Sequence, residues 1–222
     1  YILSELNPAL IPLSLYIHMP WCVRKCPYCD FNSHAVPDGQ LSTDLEQQYL
    51  AALVADFETQ VDMAQGRAIH SVFIGGGTPS LISAQGYQWL FDQLKARLDF
   101  EDDCEITLEA NPGTVEHDPF ADYLAVGINR LSLGVQSFDP EHLQRLGRIH
   151  TANNALDAIQ QARQAGFERV NVDLMHGLPQ QTQEQALNDL RLAVEQGATH
   201  ISWYQLTIEP NTVFFRTQPM LP

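Results

Sequence analysis

The chain has 222 residues, of which 45% are apolar, and this predicts one domain with a sizeable hydrophobic core. Its 12 basic and 27 acidic residues give a formal charge of −15; such a surface repels phosphate backbones, so no nucleic-acid partner is expected. No apolar run approaches the roughly 20 residues that a membrane-spanning helix needs, and no secretory signal is recognisable. We therefore expect no transmembrane segment and a reducing, cytoplasmic setting.

Six short runs rich in apolar and β-branched residues predict strands that are buried on both faces of a parallel sheet. They are residues 13–18, 71–74, 105–109, 130–135, 170–175 and 200–206. Amphipathic patterns between them predict five helices, which begin at Thr43, near Ser83, near Pro119, after Thr151 and at Thr182. Alternating strands and helices form right-handed βαβ units. The sequence thus predicts an α/β fold, a partial (β/α)6 TIM-like barrel.

Three details of the helices can be read from the pattern. The first helix is predicted to open with a capping box, in which Thr43 and Glu46 satisfy each other's backbone amides. Apolar residues at every fourth position from Leu45 to Phe57 are predicted to form its buried face. The aromatic residues between 87 and 91 are predicted to lie in the core.

Three cysteines follow the first predicted strand with the spacing C-x3-C-x2-C, at Cys22, Cys26 and Cys29. Thiolates placed so closely can bind three corners of a cubane iron–sulfur cluster, since soft sulfur ligands suit such sites. No fourth cysteine is near, because Asp30 follows directly and only Cys104 remains. One iron of such a cluster would keep an open position, as a site that binds a small molecule does.

The same cysteines also allow structural interpretations that involve no iron–sulfur cluster. A structural zinc site would need a closed set of four ligands, and His18 or His34 could complete one. The thiols could also be plain buried residues. A disulfide is disfavoured, because three clustered cysteines leave one thiol unpaired.

Polar residues follow or close every predicted strand. They are the cysteines after the first, the run Gly75–Pro79 after the second, and Glu109, Gln136, Asp173, His176, Gln205 and Thr207 at the ends of the other four. In a parallel barrel the carboxyl ends of the strands meet at one face, where active sites are built. The sequence therefore predicts that these residues share one site.

The glycine run could bring the backbone close to a ligand or could be an ordinary strand-to-helix turn. It is not a P-loop, since no Lys-Ser/Thr pair follows, and Ser80 stands where the last glycine of a dinucleotide-binding fingerprint belongs. Glu109 and Asp173 could accept hydrogen bonds from a ligand, and Arg148 could hold a carboxylate with two donors; solvated surface charges are the alternative. Asp173 lies within an apolar run, where an unpaired carboxylate would be costly.

Three segments together resemble the radical S-adenosylmethionine (SAM) superfamily, and more narrowly its coproporphyrinogen III dehydrogenase-like branch. They are YIHMPWC (16–22), CPYCDFNS (26–33) and IGGGTPS (74–80). Within the branch the chain is most similar to HemW-type heme chaperones, because the dehydrogenases carry a further cysteine soon after the third, which is absent here. The resemblance implies that residues 1–222 are a radical SAM core domain, without the C-terminal domain that relatives carry.

The resemblance also implies the cofactors. Cys22, Cys26 and Cys29 would bind a [4Fe-4S] cluster whose open iron binds SAM. Positions that match SAM-contacting residues of the family are Tyr16, Tyr28, Gly76, Gly77, Thr78, Glu109, Gln136, Arg148 and Asp173. No catalytic residue is assigned.

Two functions follow from the resemblance. As a heme chaperone, the protein would bind heme as cargo and deliver it to respiratory-chain apoproteins. As an oxygen-independent coproporphyrinogen III dehydrogenase, it would decarboxylate two propionates through hydrogen abstraction by a SAM-derived radical. The His-Asn-x-x-Tyr-Trp-type motif associated with heme binding in the chaperones does not occur between residues 1 and 222.

Overall fold

The computed structural model describes residues 7, 10–36, 39–113 and 117–222. Its strands are β1 (Leu13–Met19), β2 (Trp21–Cys22), β3 (His34–Ala35), β4 (Ile69–Gly76), β5 (Phe100–Ala110), β6 (Arg130–Gln136), β7 (Arg169–His176) and β8 (His200–Gln205). Its α-helices are α1 (Thr43–Glu58), α2 (Ala84–Lys95), α3 (Phe120–Ala125), α4 (Pro140–Arg145), α5 (Ala152–Gln164), α6 (Gln183–Glu195) and α7 (Val213–Thr217). Within this part of the chain, no helix is both long and apolar enough to cross a bilayer.

Six of the strands form one sheet in the order β1-β4-β5-β6-β7-β8, and every neighbouring pair is parallel. Helices lie between successive strands, as right-handed crossovers require. Among the described residues β1 pairs only with β4 and β8 only with β7, so the sheet stays open between its two edges. The predicted α/β fold, a partial (β/α)6 barrel, is confirmed, and all six predicted strands are present.

The two faces of the sheet differ in chemistry. Leu131 and Leu133 of β6 are fully buried in the main core together with helix residues, whereas Ser132 between them faces the inside of the barrel. On the same inner face, the Asn171 amide donates to Ser132 Oγ (2.9 Å) and to Asp173 (2.8 Å). The predicted burial on both faces is therefore confirmed for β6, but the buried inner face is polar, and its groups satisfy one another.

The first helix begins differently from the prediction. Ser42 is the N-cap of α1, and its hydroxyl accepts from the Leu45 amide at 3.3 Å. Glu46 does not close a capping box with Thr43; it is buried and accepts from the amide (3.0 Å) and the hydroxyl (2.6 Å) of Ser83. The carboxylate thus joins α1 to the N-terminus of α2, a tertiary role that the local pattern does not reveal.

Three positions of the buried face of α1 are correspondingly shifted by one residue, while Phe57 is buried as predicted. The buried face consists of Glu46, Leu50, Val54 and Phe57, while Leu45 is 39% exposed. At the start of α6 the local pattern was sufficient: Thr182 and Gln185 form a reciprocal capping box. The short helix α4, capped by Asp139, was not predicted.

Candidate functional site

A cavity of about 440 Å³ lies at the carboxyl ends of β4 to β8, beside the cysteine loop. The predicted site residues that line it are Cys22, Cys26, Tyr28, Cys29, Gly76, Gly77, Thr78, Glu109, Gln136, Arg148 and Asp173. The convergence expected from the strand ends is therefore present. What each residue contacts in a ligand stays a prediction.

The cysteine loop is closed at its base by β2 and β3. Cys22 pairs with Ala35 in this small parallel ladder, and the Val36 amide donates to the Cys22 carbonyl (2.9 Å). Across the loop, the Lys25 ammonium donates to the carbonyl of Phe31 (2.8 Å). These backbone contacts hold the ends of the loop together and leave the thiols facing the cavity.

The three thiols of the loop are half-buried and free. Burial raises the pKa of Cys22 and of Cys29, and the neighbouring cysteines add to the effect. A metal that binds such thiols deprotonates them, so uptake of metal would release protons.

The glycine run packs against the segment that leads into the loop. A Cβ on Gly76, whose φ is +114°, would lie 2.6 Å from the His18 ring. A Cβ on Gly77 would lie 2.7 Å from the carbonyl carbon of Trp21, and the Gly77 amide donates to Met19 O (2.6 Å). The glycines therefore serve a close approach between backbones, which places the cysteine loop, in addition to lining the cavity.

Asn111 connects two predicted residues and was not itself predicted. Its amide nitrogen donates to Thr78 Oγ1 (3.1 Å), and its oxygen accepts from Arg148 Nη2 (2.7 Å). Thr78 is buried, and its hydroxyl also acts on Cys22, where it opposes the rise in the pKa of the thiol that burial causes. The position of Asn111 directly after a strand is the same signal that singled out Glu109, so the strand-end rule could have found it.

Arg148 is partly buried beside the cysteine loop, and each of its five N–H groups has a protein partner. These are His150 Nδ1 (3.3 Å), Cys26 Sγ (3.3 Å), the Tyr28 hydroxyl (3.4 Å), Asn111 Oδ1 (2.7 Å) and the Gly134 carbonyl (2.7 Å). None of the ion pairs in the described part of the chain includes it. Its charge is therefore available to a thiolate at Cys26, and a grip on a ligand carboxylate would require it to exchange some of these partners.

His150 fixes the orientation of Arg148. Its Nε2 lies 3.0 Å from the Val135 carbonyl and must donate there, so Nδ1 is the acceptor for Arg148. Burial, followed by the charge of Arg148, lowers the pKa of His150 to about 3. The imidazole is therefore neutral at physiological pH; neither its spacing nor its neighbours in the sequence indicated this role.

Two carboxyl groups of the cavity have no cationic partner among the ion pairs of the described residues. Burial raises the pKa of Glu109 to about 7, the Gly76 amide (3.1 Å) opposes the rise, and the charge of Asp173 adds to it. Burial likewise raises the pKa of Asp173, against which its hydrogen bonds act. A ligand with a positive group would relieve both carboxylates, so the cavity favours a cationic ligand.

Gln136 adopts a left-handed backbone conformation, with φ of +69°, which is uncommon for a residue other than glycine. Its side chain is buried and accepts from the Tyr204 hydroxyl (2.8 Å). Strain of this kind costs on the order of 1–3 kcal/mol and is concentrated at binding sites. Tyr204 itself was not predicted, although the period-2 alternation of β8 places it on the inner face.

Tyr16, like His176 at the end of β7, is a predicted site residue that does not line the cavity. It is 57% exposed, and its hydroxyl lies 2.9 Å from His18 Nδ1. His18 Nε2 donates to the Asn32 carbonyl (2.8 Å), so Nδ1 accepts from Tyr16. Tyr16 is thus connected through His18 to the end of the cysteine loop, and it stands behind the residues that line the cavity.

A shared metal ion would require ligand atoms at about 2.0–2.3 Å from one point, as in a structural zinc site. Within the described ranges, no three histidine, cysteine or acidic side chains meet that arrangement. In a cubane cluster each cysteine binds a different iron, so its three sulfurs need not converge on a single position.

The sequence model of the radical SAM superfamily matches residues 16–193. The chain belongs to the radical SAM superfamily. Among curated proteins, it is 56% identical to heme chaperone HemW of Haemophilus influenzae over 219 residues, which is 97% of this chain and 56% of that protein. It is also 56% identical to heme chaperone HemW of Escherichia coli over 96% of this chain and 55% of that protein. The chain thus spans about half the length of the curated relatives it matches.

Solved structures agree with this radical SAM assignment. Coproporphyrinogen III oxidase (HemN) from Escherichia coli, described as a radical SAM enzyme, superposes with a TM-score of 0.82 at 30% identity, over 97% of this chain and 49% of that one. The radical SAM methyltransferase TsrM from Kitasatospora setae, solved with cobalamin and a [4Fe-4S] cluster, superposes with a TM-score of 0.60 at 21% identity, over 91% of this chain and 38% of that one. The second likeness shows a common fold.

The residues that line this cavity have the chemistry that an iron–sulfur cluster and SAM would require. Three thiols from one loop face the cavity and supply the soft ligands of an iron–sulfur cluster. The guanidinium of Arg148 lies 3.3 Å from Cys26 Sγ and matches a negatively charged thiolate-bound group. Glu109 and Asp173 match the positive charge of SAM, which carries both an ammonium and a sulfonium.

Proposed function

We propose that residues 1–222 are the radical SAM core domain of a cytoplasmic heme chaperone. The protein would bind a [4Fe-4S] cluster and SAM, take up heme, and deliver it to respiratory-chain apoproteins, without coproporphyrinogen dehydrogenase activity. The observation that carries this proposal is the 56% identity to HemW proteins over almost the whole chain. The run Cys29-Asp30-Phe31, without a further cysteine, supports the chaperone over the dehydrogenase.

In this proposal, Cys22, Cys26 and Cys29 hold the cluster. The reduced form of the cluster would supply the one electron needed for reductive cleavage of SAM. The residues around it bind and orient SAM. Glu109 accepts from the ammonium of the ligand, and the backbone of Gly76 and Gly77 forms the adjacent wall. These roles would make the neutral His150 and the charged Arg148 supporting residues, which keep the cysteine loop in place.

Three further residues complete the binding wall in this proposal. Asp173 and Gln136 accept from hydroxyls of the ribose, and Asp173 is aimed by its hydrogen bonds to Ser132 and Asn171. Thr78 supports Cys22, and Tyr28 supports Arg148, so both act behind the ligand. Tyr16 reaches the site through His18, by way of the cysteine loop.

The second candidate is an oxygen-independent coproporphyrinogen III dehydrogenase. It is favoured by the superposition on HemN at a TM-score of 0.82. Both candidates use the same cluster and the same SAM site, so the geometry of this domain does not separate them. They differ in what happens to the porphyrin, which is heme transfer in one case and decarboxylation in the other.

The test uses the full-length natural protein, purified without oxygen. Iron and sulfide should be present in the wild type and in Cys104→Ala, and absent from Cys26→Ala, because Cys104 is buried in β5 away from the cavity. Zinc without sulfide would overturn the cluster. The loaded protein should then bind heme and transfer it to a heme-free respiratory apoprotein. Conversion of coproporphyrinogen III to protoporphyrinogen IX would overturn the chaperone and support the dehydrogenase.

A further inference from the structure

A second apolar cluster lies apart from the main core. Its buried members are Leu146, Met175, Leu178, Leu206 and Phe214, and Tyr28 and Ile208 pack against them. We call this set the satellite core. Tyr28 stands between Cys26 and Cys29, so the cysteine loop contributes directly to the satellite core. The other members come from segments that are distant from the loop in sequence.

Phe214 of α7 makes two contacts with the cysteine loop. Its backbone amide donates to the carbonyl of Pro27 (3.0 Å), and its ring centroid lies 6.2 Å from that of Tyr28. The side chain of Phe214 is 6% exposed, whereas that of Phe215, the next residue, is 48% exposed. The amide of Phe215 donates to the capping hydroxyl of Thr212 (3.1 Å), which fixes the start of this short helix.

The opposite side of the same loop segment is also held. Gly147 has a φ of +69°, and a Cβ there would lie 2.8 Å from Pro27 Cγ. Arg148, the next residue, donates to Cys26 Sγ (3.3 Å) and to the Tyr28 hydroxyl (3.4 Å). Pro27 and Tyr28 are therefore enclosed between the segment at residues 146–148 and the segment at residues 206–217.

We propose that residues 206–217 form a latch that holds the cysteine loop against the barrel, with Phe214 as its positioning residue. A bound cluster is lost when the loop that carries its ligands opens, and the rate of loss follows the free energy of that local opening. Removal of the Phe214 ring leaves a space beside Tyr28 and makes opening easier. The main core, to which Phe214 does not belong, is unaffected. The effect on a bound cluster rests on the proposed function, but the effect on the loop does not.

The latch is tested first on the full-length natural protein without cofactors, by hydrogen–deuterium exchange. In Phe214→Ala, the amides of residues 22–33 should exchange faster by at least about tenfold, while those of β6 exchange as in the wild type. Phe215→Ala, the exposed neighbour, is the matched control and should resemble the wild type. Phe214→Leu, which keeps an apolar side chain, should restore most of the protection. Unchanged exchange at residues 22–33, or an equal increase in β6, would overturn the latch.

Gly147→Ala tests the same segment from its other side and replaces Phe214→Ala if that variant does not fold. The new methyl group pushes on Pro27, so residues 22–33 should again lose protection. In the reconstituted protein, loss of the visible cluster absorbance to a chelator should accelerate in both variants and not in Phe215→Ala. If Phe214→Ala exchanges faster than the wild type at residues 22–33 as expected, but the wild type never takes up a cluster, the proposed cofactor is refuted and the latch is still supported.

Discussion

The buried carboxylate of Glu109 lowers the free energy of unfolding, and its replacement by glutamine tests whether it serves to bind a cationic ligand. Burial raises the pKa of Glu109 from 4.5 to about 7. Between these values the folded protein binds a proton that the unfolded chain has released, so the free energy of unfolding falls as the pH rises from 4.5 to about 7. At about 1.36 kcal/mol per pH unit, this interval corresponds to about 3 kcal/mol as an upper value. Since Glu109 lines an open cavity, solvent screening reduces the expected loss to about 1–3 kcal/mol.

The Glu109→Gln variant of the unliganded protein should therefore equal the wild type in stability near pH 4.5 and exceed it by about 1–3 kcal/mol at pH 8. The amide oxygen of the new glutamine can still accept from the Gly76 amide, which lies 3.1 Å from Glu109 Oε2 in the wild type. Urea unfolding at both pH values measures the difference. Asp103→Asn, an exposed site on the same strand, is the control for loss of one negative charge.

The same substitution should weaken the binding of SAM at pH 8 by about 10- to 100-fold, because a charge-assisted hydrogen bond becomes a neutral one. Anaerobic equilibrium dialysis of the cluster-loaded protein measures this loss. The wild type should itself bind SAM less tightly at pH 6 than at pH 8, since Glu109 becomes protonated below about 7. A stability gain that does not depend on pH, or an unchanged affinity, would refute the assignment of Glu109 as an acceptor for a cationic ligand.

Three further predictions concern stability. Glu46→Ala should lower the free energy of unfolding by about 2–4 kcal/mol in urea, because it leaves the buried amide and hydroxyl of Ser83 without their acceptor; a loss below about 1 kcal/mol would contradict this role. Thr182→Ala should cost about 1 kcal/mol, the usual value of an N-cap. His150→Gln should make the protein less sensitive to acid. In the folded wild type the pKa of the imidazole is lowered from 6.5 to about 3, so His150 stays neutral at a pH where the unfolded chain has gained a proton. The wild type therefore loses stability as the pH falls through this interval, and the variant lacks this loss. Unfolding free energies at pH 7 and pH 4 should differ by about 2–3 kcal/mol less in the variant, and an equal difference would exclude this contribution.

The sequence predicted the location of the site well, because that prediction depends on one geometrical rule. Parallel strands bring their carboxyl ends to one side, so residues such as Glu109 and Asp173 had to converge once the strands were recognised. Recognition of the strands in turn depended on runs that are largely apolar, because residues such as Leu131 and Leu133 on the outer face pack in the core. Tyr16 lies three residues before the end of β1 at Met19, which explains why it does not reach the cavity itself.

Contacts between side chains that are distant in the sequence could not be predicted. Glu46 has the spacing of a capping box, yet it binds Ser83, because the packing of α1 on α2 offers two buried donors there. The orientation of His150 toward Arg148 depends on the carbonyl of Val135 in β6, and the sequence has no signal for this distant contact. The positive φ of Gln136 is equally hidden, since glycine or asparagine is the residue expected in that conformation.

The apolar outer face of the sheet contributes mainly to stability, whereas the polar inner face lines the region where a ligand would bind. The outer face carries the free energy of folding, since Leu131, Leu133 and their equivalents pack against the helices. Hydroxyl and amide groups such as Ser132 and Asn171 line the interior and bind one another. A substitution inside can therefore change which molecule is recognised, provided that it leaves no buried partner of Ser132 or Asn171 without a hydrogen bond, and a substitution outside changes stability without touching the residues that line the cavity. Such a division allows one architecture to diversify its chemistry over evolutionary time.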